Sequence, residues 1–378
     1  MTPPVRRLLA IGLAVVLIVG VGIAVISSIQ GRLGPSAVPI HGVIGSEKLP
    51  FFQDPRVIAA FHRGGFDVTV ETAGSRQIAT LDLSNDDFAF PAGAPAAEKI
   101  RRTIPGTTSV VPFFTPMAIA TWQPIVDLLT TAGLIQTSPQ GYLTLDMAKY
   151  MDLVSKDTRW KDLPNNTTFP VNKSILMTST DVRKSNSAAM YLSIASYVAN
   201  GNNVVQNDST VDHIVDVTAP LFLKQGFVES STEEPFDEYL VQGIGKAPMV
   251  VIYEAQYLAR AAANDGSITP DMRLIYPEPT IYSNHTWVGL TDAGKRAGDF
   301  LSTDPELRSL ITEYGFRTSD AQGFENYFTA HNVSVPTNLI DVIEPPSYEA
   351  LEAMITRIES LYSGEGLPTP APDLSPSG

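Results

Sequence analysis

The sequence predicts an α/β protein with mainly parallel sheets flanked by helices, carried on one N-terminal membrane helix. Three observations predict it. Short β-type runs alternate with helical runs along most of the chain. A single uncharged apolar stretch lies close to the start. The long remainder is 44% hydrophobic overall and 17% charged, enough to bury two cores of ordinary size.

The apolar stretch is Leu8–Ile26, 19 residues without a charge. At about 1.5 Å per residue it spans nearly 30 Å, the hydrocarbon thickness of a bilayer. A cleaved signal peptide is the alternative, but its apolar core is shorter, about 7–15 residues. No clear small-residue cleavage site follows, and the chain has no cysteine for lipid attachment. Arg6 and Arg7 precede the run and only Arg32 follows closely. The positive-inside rule then places the N-terminus in the cytoplasm and the main domain outside it, as a single-pass protein of the cell membrane.

The net charge of −14 and the pI near 4.8 argue against nucleic acid or anionic lipid as partners, since both demand a basic face. The absence of cysteine excludes disulfides, thiolate metal sites and a cysteine nucleophile, and fits an exported bacterial domain.

Taken in order, residues 1–30 form the anchor, 31–39 a linker within a small, polar stretch, and 367–378 a Pro/Ser-rich tail expected to be disordered. His41–Ile44 reads as a strand. Asp54-Pro55 offers an N-cap and a first-turn proline, with Val57, Ile58 and Phe61 at helical spacing and Gly64-Gly65 as the stop. Phe66–Val70 alternates with period two. Gly74-Ser75-Arg76 begins a helix, and Asp87–Phe90 is a strand. Val110–Ala120 is a long extended segment broken by Pro112 and Pro116, followed by a helix over Ile125–Ala132. Ser174–Met177 reads as a strand leading to a helix from about Ser187 to Val198. Pro248–Tyr253 is a buried strand. Asp304-Pro305 opens a helix with Leu307, Leu310, Ile311 and Tyr314 on one face, stopped by Gly315. Such strand–helix repeats predict parallel sheets.

Catalytic motifs are missing: no G-x-S-x-G elbow, no phosphate-binding G-x-x-x-x-G-K-[ST] loop, no H-E-x-x-H. The five histidines have no ligand-like spacing, so neither a metal nor a cofactor is expected. Gly243-Ile244-Gly245 lacks a third glycine and reads as a turn. What stands out is three turns rich in small hydroxyl residues: 45–48 (GSEK), 73–76 (AGSR) and 178–187 (TSTDVRKSNS). A helix N-terminus presents unpaired N–H groups and partial positive charge, which suits anions. Each turn alone is ordinary capping. Three of them in two α/β units point to a ligand site at the carboxyl ends of strands.

By these residues and motifs, the chain resembles the type II periplasmic-binding-protein superfamily, the extracytoplasmic solute-binding proteins, and within it the molybdate/tungstate, sulfate and phosphate binders. The resemblance covers about residues 40–317. It rests on Gly45-Ser46, on 67–79 (DVTVETAGSRQIA), on 87–99 (DFAFPAGAPAAEK) and on 177–192 (MTSTDVRKSNSAAMYL). The closing series is the most specific: 250–254 (VVIYE), 274–280 (LIYPEPT), 297–301 (AGDFL) and 314–317 (YGFR). At Asn186-Ser187-Ala188 the family more often has Ser-Gly.

The resemblance implies two lobes joined by crossover strands: lobe one from 40–115, lobe two from 116–290, and a return to lobe one over 291–366. It implies a ligand held between the lobes and no catalysis. Carried over by position, the ligand contacts are Ser46 and Ser75 from lobe one, and Ser179, Ser185, Asn186, Ser187 and Tyr253 from lobe two. Arg76 either faces the cleft as an anion's charge partner or lies on the helix surface. Arg183 and Lys184 lean to the surface. Glu47 would repel an anion. The expected function is a membrane-anchored binder that delivers a small polar, anionic solute to an ABC permease. The alternative is a sensor or interaction subunit of a membrane complex that uses the same fold.

Overall fold

The computed structural model describes residues 37–206, 210–226, 228–339 and 341–363. The Leu8–Ile26 run and the tail from 367 lie outside the described residues. Among the described residues no helix is long and apolar enough to cross a membrane. Among the described residues the hydrophobic cores all lie within the unit that begins at Pro39.

Ten strands form one sheet among the described residues: β1 (Val38–Ile44), β2 (Phe66–Thr72), β3 (Phe88–Phe90), β4 (Thr108–Trp122), β5 (Ile135–Thr137), β6 (Leu143–Asp146), β7 (Met249–Tyr253), β8 (Met272–Glu278), β9 (Thr280–Gly289) and β10 (Val342–Ile343). Their order is β2-β1-β3-β9-β4-β8-β6-β5, with β7 on β4 and β10 on β9. Pairing is parallel at β1–β3, β6–β8 and β9–β10. It is antiparallel at β3–β9, β5–β6 and wherever another strand meets β4. Helices link the parallel strands, so the architecture is mixed α/β.

Two lobes result from where the apolar side chains gather. In β3 the alternation sends Phe88 and Phe90 to one face and Ala89 to the other. Phe88 and Phe90 pack with Phe52, Val57, Phe61 and Trp287. Ala89 packs with Ile78, Ala97, Ile100 and Val288. Helices Pro55–Arg63 and Ala94–Thr103 therefore cover opposite faces of this smaller lobe. Each fully buried phenylalanine adds about 1.5–3 kcal/mol. The larger lobe holds a second core built on Met117–Ala120, Leu192, Val250–Tyr253 and Ile275, and joined by Phe324, Phe328, Met354, Ile355 and Ile358 from the last two helices.

Both long strands serve both cores. In β4, Phe113 belongs to the smaller core and Met117 to the larger; in β9, Trp287 and Ile281 divide the same way. They pair with each other through the crossing, Phe114 opposite Asn284, Thr115 opposite Ser283 and Pro116 opposite Tyr282. The expected breaks at Pro112 and Pro116 are absorbed, with a register shift between Val110 and Phe113.

The capping signals act as their chemistry requires. Asp54 accepts from the Arg56 N–H at 2.8 Å ahead of Pro55, and Asp304 accepts from the Leu307 N–H at 2.9 Å ahead of Pro305. The strand expected at Ser174–Met177 is absent. Ser174 and Thr178 make isolated bridges, to Arg159 and Val250. The backbone donors between them go to Thr158 O, Ser174 O and the Tyr150 hydroxyl instead of to a ladder.

Candidate functional site

Three turns converge on one cavity of about 560 Å³ between the lobes. From the smaller lobe come the 3-10 turn Ser46–Lys48 after β1 and the short helix Ser75–Ile78 after β2, preceded by Gly45 and Gly74. From the larger lobe comes the N-terminus of helix Asn186–Ala199, preceded by Ser185. None of the three N-caps carries a side-chain capping bond. Their first-turn N–H groups are thus not taken by their own caps, and of the three only Asn186–Ala199, with 14 residues, is long enough to carry a helix dipole. A second hydroxyl run, Ser230, Ser231 and Thr232, completes the wall.

Of the residues nominated from the sequence, Ser46, Ser75, Arg76, Ser185, Asn186 and Tyr253 line the cavity. The Ser46 side chain is exposed and makes no hydrogen bond among the described residues. Ser75 is buried, and its hydroxyl accepts from the Ala92 N–H at 2.9 Å. Asn186 donates to the Tyr253 hydroxyl at 3.0 Å and to Ser283 Oγ at 3.3 Å, which ties the helix to β7 and β9. Ser179 and Ser187 do not line the cavity. Ser179 is buried against Gln225, which accepts from its N–H at 2.8 Å and donates to its hydroxyl at 2.9 Å. Ser187 Oγ lies between Thr180 Oγ1 (2.8 Å) and Ser185 Oγ (2.9 Å). These two hydroxyls organise the turn behind the wall.

The charges at the rim are mostly committed. Arg76 neither points freely into the cleft nor lies loose on the surface. Its Nε and Nη2 donate to the two carboxylate oxygens of Glu352, both at 2.6 Å, and its Nη1 donates to the carbonyl of Arg183 in the other lobe. Arg183 forms a fork with Asp181, at 2.8 and 2.7 Å. Burial of Asp181 opposes its ionisation, but the Arg183 hydrogen bonds outweigh burial and hold its pKa below the ordinary value. Lys184 is exposed on the same rim and makes no ion pair among the described residues.

Glu47 lines the cavity, yet its charge is largely answered from behind. Lys48 is wholly buried and brings Nζ to 2.5 Å from Glu47 Oε1 and 3.2 Å from His285 Nδ1, with the Phe90 ring at 4.8 Å. Burial lowers the Lys48 pKa against the opposing pull of Glu47. Burial, and next the Lys48 charge, push His285 well below its ordinary value. With Lys48 donating to Nδ1, the imidazole proton is assigned to Nε2, which is buried without a partner among the described residues. The sequence gives no sign of this cluster, because Lys48 and His285 stand 237 residues apart. The Ser230–Thr232 run is hydroxyl-rich in the sequence, but nothing in its spacing places it beside the other turns.

No protein-family model matches the chain, and no curated protein does. Solved structures do. An ABC substrate-binding protein from Listeria monocytogenes, in complex with cycloalternan, superposes with a TM-score of 0.54 at 12% identity, over 87% of this chain and 95% of that one. A periplasmic thiamin-binding protein gives 0.51 at 13% identity over 87% and 97%. Iron-bound HitA from Pseudomonas aeruginosa gives 0.50 at 12% identity over 87% and 100%. Identities this low speak for the fold alone. The chain has the type II periplasmic-binding-protein fold, with its cavity between the two lobes.

Proposed function

We propose that this chain binds a small polar, anionic solute between its lobes, holds it without chemical change, and presents it to a membrane partner such as an ABC permease. The observation that carries the reading is one cavity walled by turns from both lobes that lack side-chain caps, the N-terminus of the 14-residue helix Asn186–Ala199 among them. A ligand that bridges Ser46 and Ser75 on one side and Ser185 and Asn186 on the other favours the closed arrangement of the lobes. The Glu47 carboxylate, answered by Lys48, sits at this wall at a reduced cost to an anion. The Leu8–Ile26 run supplies the membrane tether in this reading, and the main domain lies outside the cytoplasm.

The test is thermal unfolding of the purified full chain, extensively dialysed, with sulfate, phosphate, molybdate and tungstate against a neutral sugar and an amino acid. A ligand that binds only the folded state at 100 times its Kd adds about 2.7 kcal/mol of stability. A rise in melting temperature with one oxyanion and not with the neutral controls is expected; no rise with any of the six overturns the reading. The tether is tested by alkaline extraction of membranes from expressing cells, where release of the full-length chain into the supernatant overturns it.

A further inference from the structure

We infer that the last helix, Tyr348–Ser363, is a strap that fastens the two lobes across the mouth of the cleft, with the Arg76–Glu352 pair as its clasp. The inference goes beyond ligand binding and does not depend on which solute binds.

The helix belongs to the larger lobe by its apolar face. Met354, Ile355 and Ile358 are wholly buried in that core, and Arg357 pairs with Asp212 at 3.0 Å. It cannot swing away without exposing those side chains to water. Its first turns reach the smaller lobe mainly by polar contacts, beside the Tyr348 ring that packs on the Ile78–Ile100 cluster. Glu352 takes both forked donors of Arg76 at 2.6 Å, Glu349 pairs with Arg102 at 3.3 Å, and Lys99 lies 5.5 Å from the Tyr348 ring. Arg76 also donates to the Arg183 carbonyl, and the Arg183 guanidinium sits 4.7 Å from the Tyr362 ring of the same helix. Tyr348 and Glu352 are themselves wall residues of the cavity.

The asymmetry defines the device. One end is held by burial in the larger lobe's core; the other meets the smaller lobe through polar bonds at the cleft mouth and through the half-buried Tyr348 ring, which packs beside Ile78 and Ile100. When the lobes part, the helix stays with the larger lobe and the Arg76 bonds to Glu352 and to Arg183 break together. The clasp therefore biases the cleft toward closure before any ligand arrives, and a solute must pass it on the way in and out. The residue that the sequence offered as an anion's partner is occupied by a carboxylate of the chain's own.

The chain has no cysteine, so spin labels can be placed at will. Ile58→Cys on the smaller lobe and Val241→Cys on the larger use sites 50% and 84% exposed. Pulsed electron–electron distances are then measured on the full chain without ligand. The clasped protein should give one main distance. Glu352→Gln, which keeps the shape and removes the charge, should raise a longer-distance population at least threefold. Arg76→Lys, which cannot make the fork and the carbonyl bond together, should do the same from the opposite lobe. The two variants fail independently, so one misfolded protein leaves the test intact. Unchanged distances in folded Glu352→Gln or folded Arg76→Lys overturn the strap. No ligand enters the measurement, so its failure is separate from failure of the binding proposal.

Discussion

A Cβ placed on Gly74 would lie 2.5 Å from the carbonyl oxygen of Lys184, across the cleft. The backbone at Gly74 is ordinary extended chain, so only the close approach of the lobes demands glycine there. Gly74→Ala should hold the lobes apart while leaving each lobe's core untouched. Affinity for the solute should fall about tenfold or more, equivalent to about 1.4 kcal/mol, with little change in melting temperature of the unliganded protein. Calorimetric titration beside a thermal melt checks both halves. A large loss of stability with unchanged affinity goes against a closure role for this position.

Ser46 and Ser75 separate contact from support. Ser75→Ala leaves the buried Ala92 N–H without its acceptor and should cost about 1–3 kcal/mol of stability as well as affinity. Ser46→Ala removes an exposed hydroxyl with no internal partner among the described residues and should lower affinity alone. Equal melting temperatures for the two variants contradict this division.

Glu254 and Arg317 form a buried pair, with Arg317 Nε and Nη2 at 2.6 and 2.9 Å from the carboxylate oxygens and the Tyr276 hydroxyl donating at 2.5 Å. Arg317 also donates to the Pro336 carbonyl at 2.8 Å, so it anchors the chain that leads to the strap. Glu254→Gln should destabilise by about 3–5 kcal/mol, because it leaves a buried guanidinium uncompensated. Urea unfolding measures it, and a loss below about 1 kcal/mol on that scale is the opposing result.

His285 gives stability a pH slope of known sign. In the unfolded chain a histidine takes up a proton below about pH 6.5, whereas burial beside Lys48 keeps His285 neutral in the folded protein. The unfolded state then binds more protons, and stability falls as pH drops below that value, by about 1.4 kcal/mol per pH unit for this group. His285→Asn, which retains an acceptor for Lys48, should lose that part of the slope between about pH 7.5 and 5.5. Carboxylates are common to both proteins and cancel in the comparison. Parallel urea midpoints for the two proteins across this range refute the assignment.

Much of the architecture is legible locally because its causes are local. Asp54-Pro55 and Asp304-Pro305 start helices by capping within three residues, and Gly315, at φ +83°, ends one where a side chain would be strained. Period two marks β2, and an apolar run marks β7. What is not legible locally has the opposite cause. Ser174–Met177 has the composition of a strand, but Thr158 and Tyr150 take its backbone donors. Ser179 and Ser187 have the right chemistry for a ligand turn, and only the neighbours Gln225 and Thr180 show that their hydroxyls are already used. Arg76 finds its carboxylate 276 residues later. Short-range pattern identifies a turn; which of its side chains remain free is decided by distant partners.

The pairing of β4 with β9 through the crossing has a mechanical consequence. Three segments connect the lobes: β4 and β9, paired antiparallel from Phe114–Asn284 to Pro116–Tyr282, and the chain at Arg317, which exchanges two 2.9 Å backbone hydrogen bonds with Phe114 before it enters the larger lobe. A narrow ribbon of paired segments can flex and twist across its thin direction, but sliding one segment along another would break its rungs. Rotation of the lobes about this short ribbon is the motion that would leave its rungs intact. In the proposed function, solute, Gly74 and the Arg76–Glu352 bond would all act on the angle between the lobes at this ribbon.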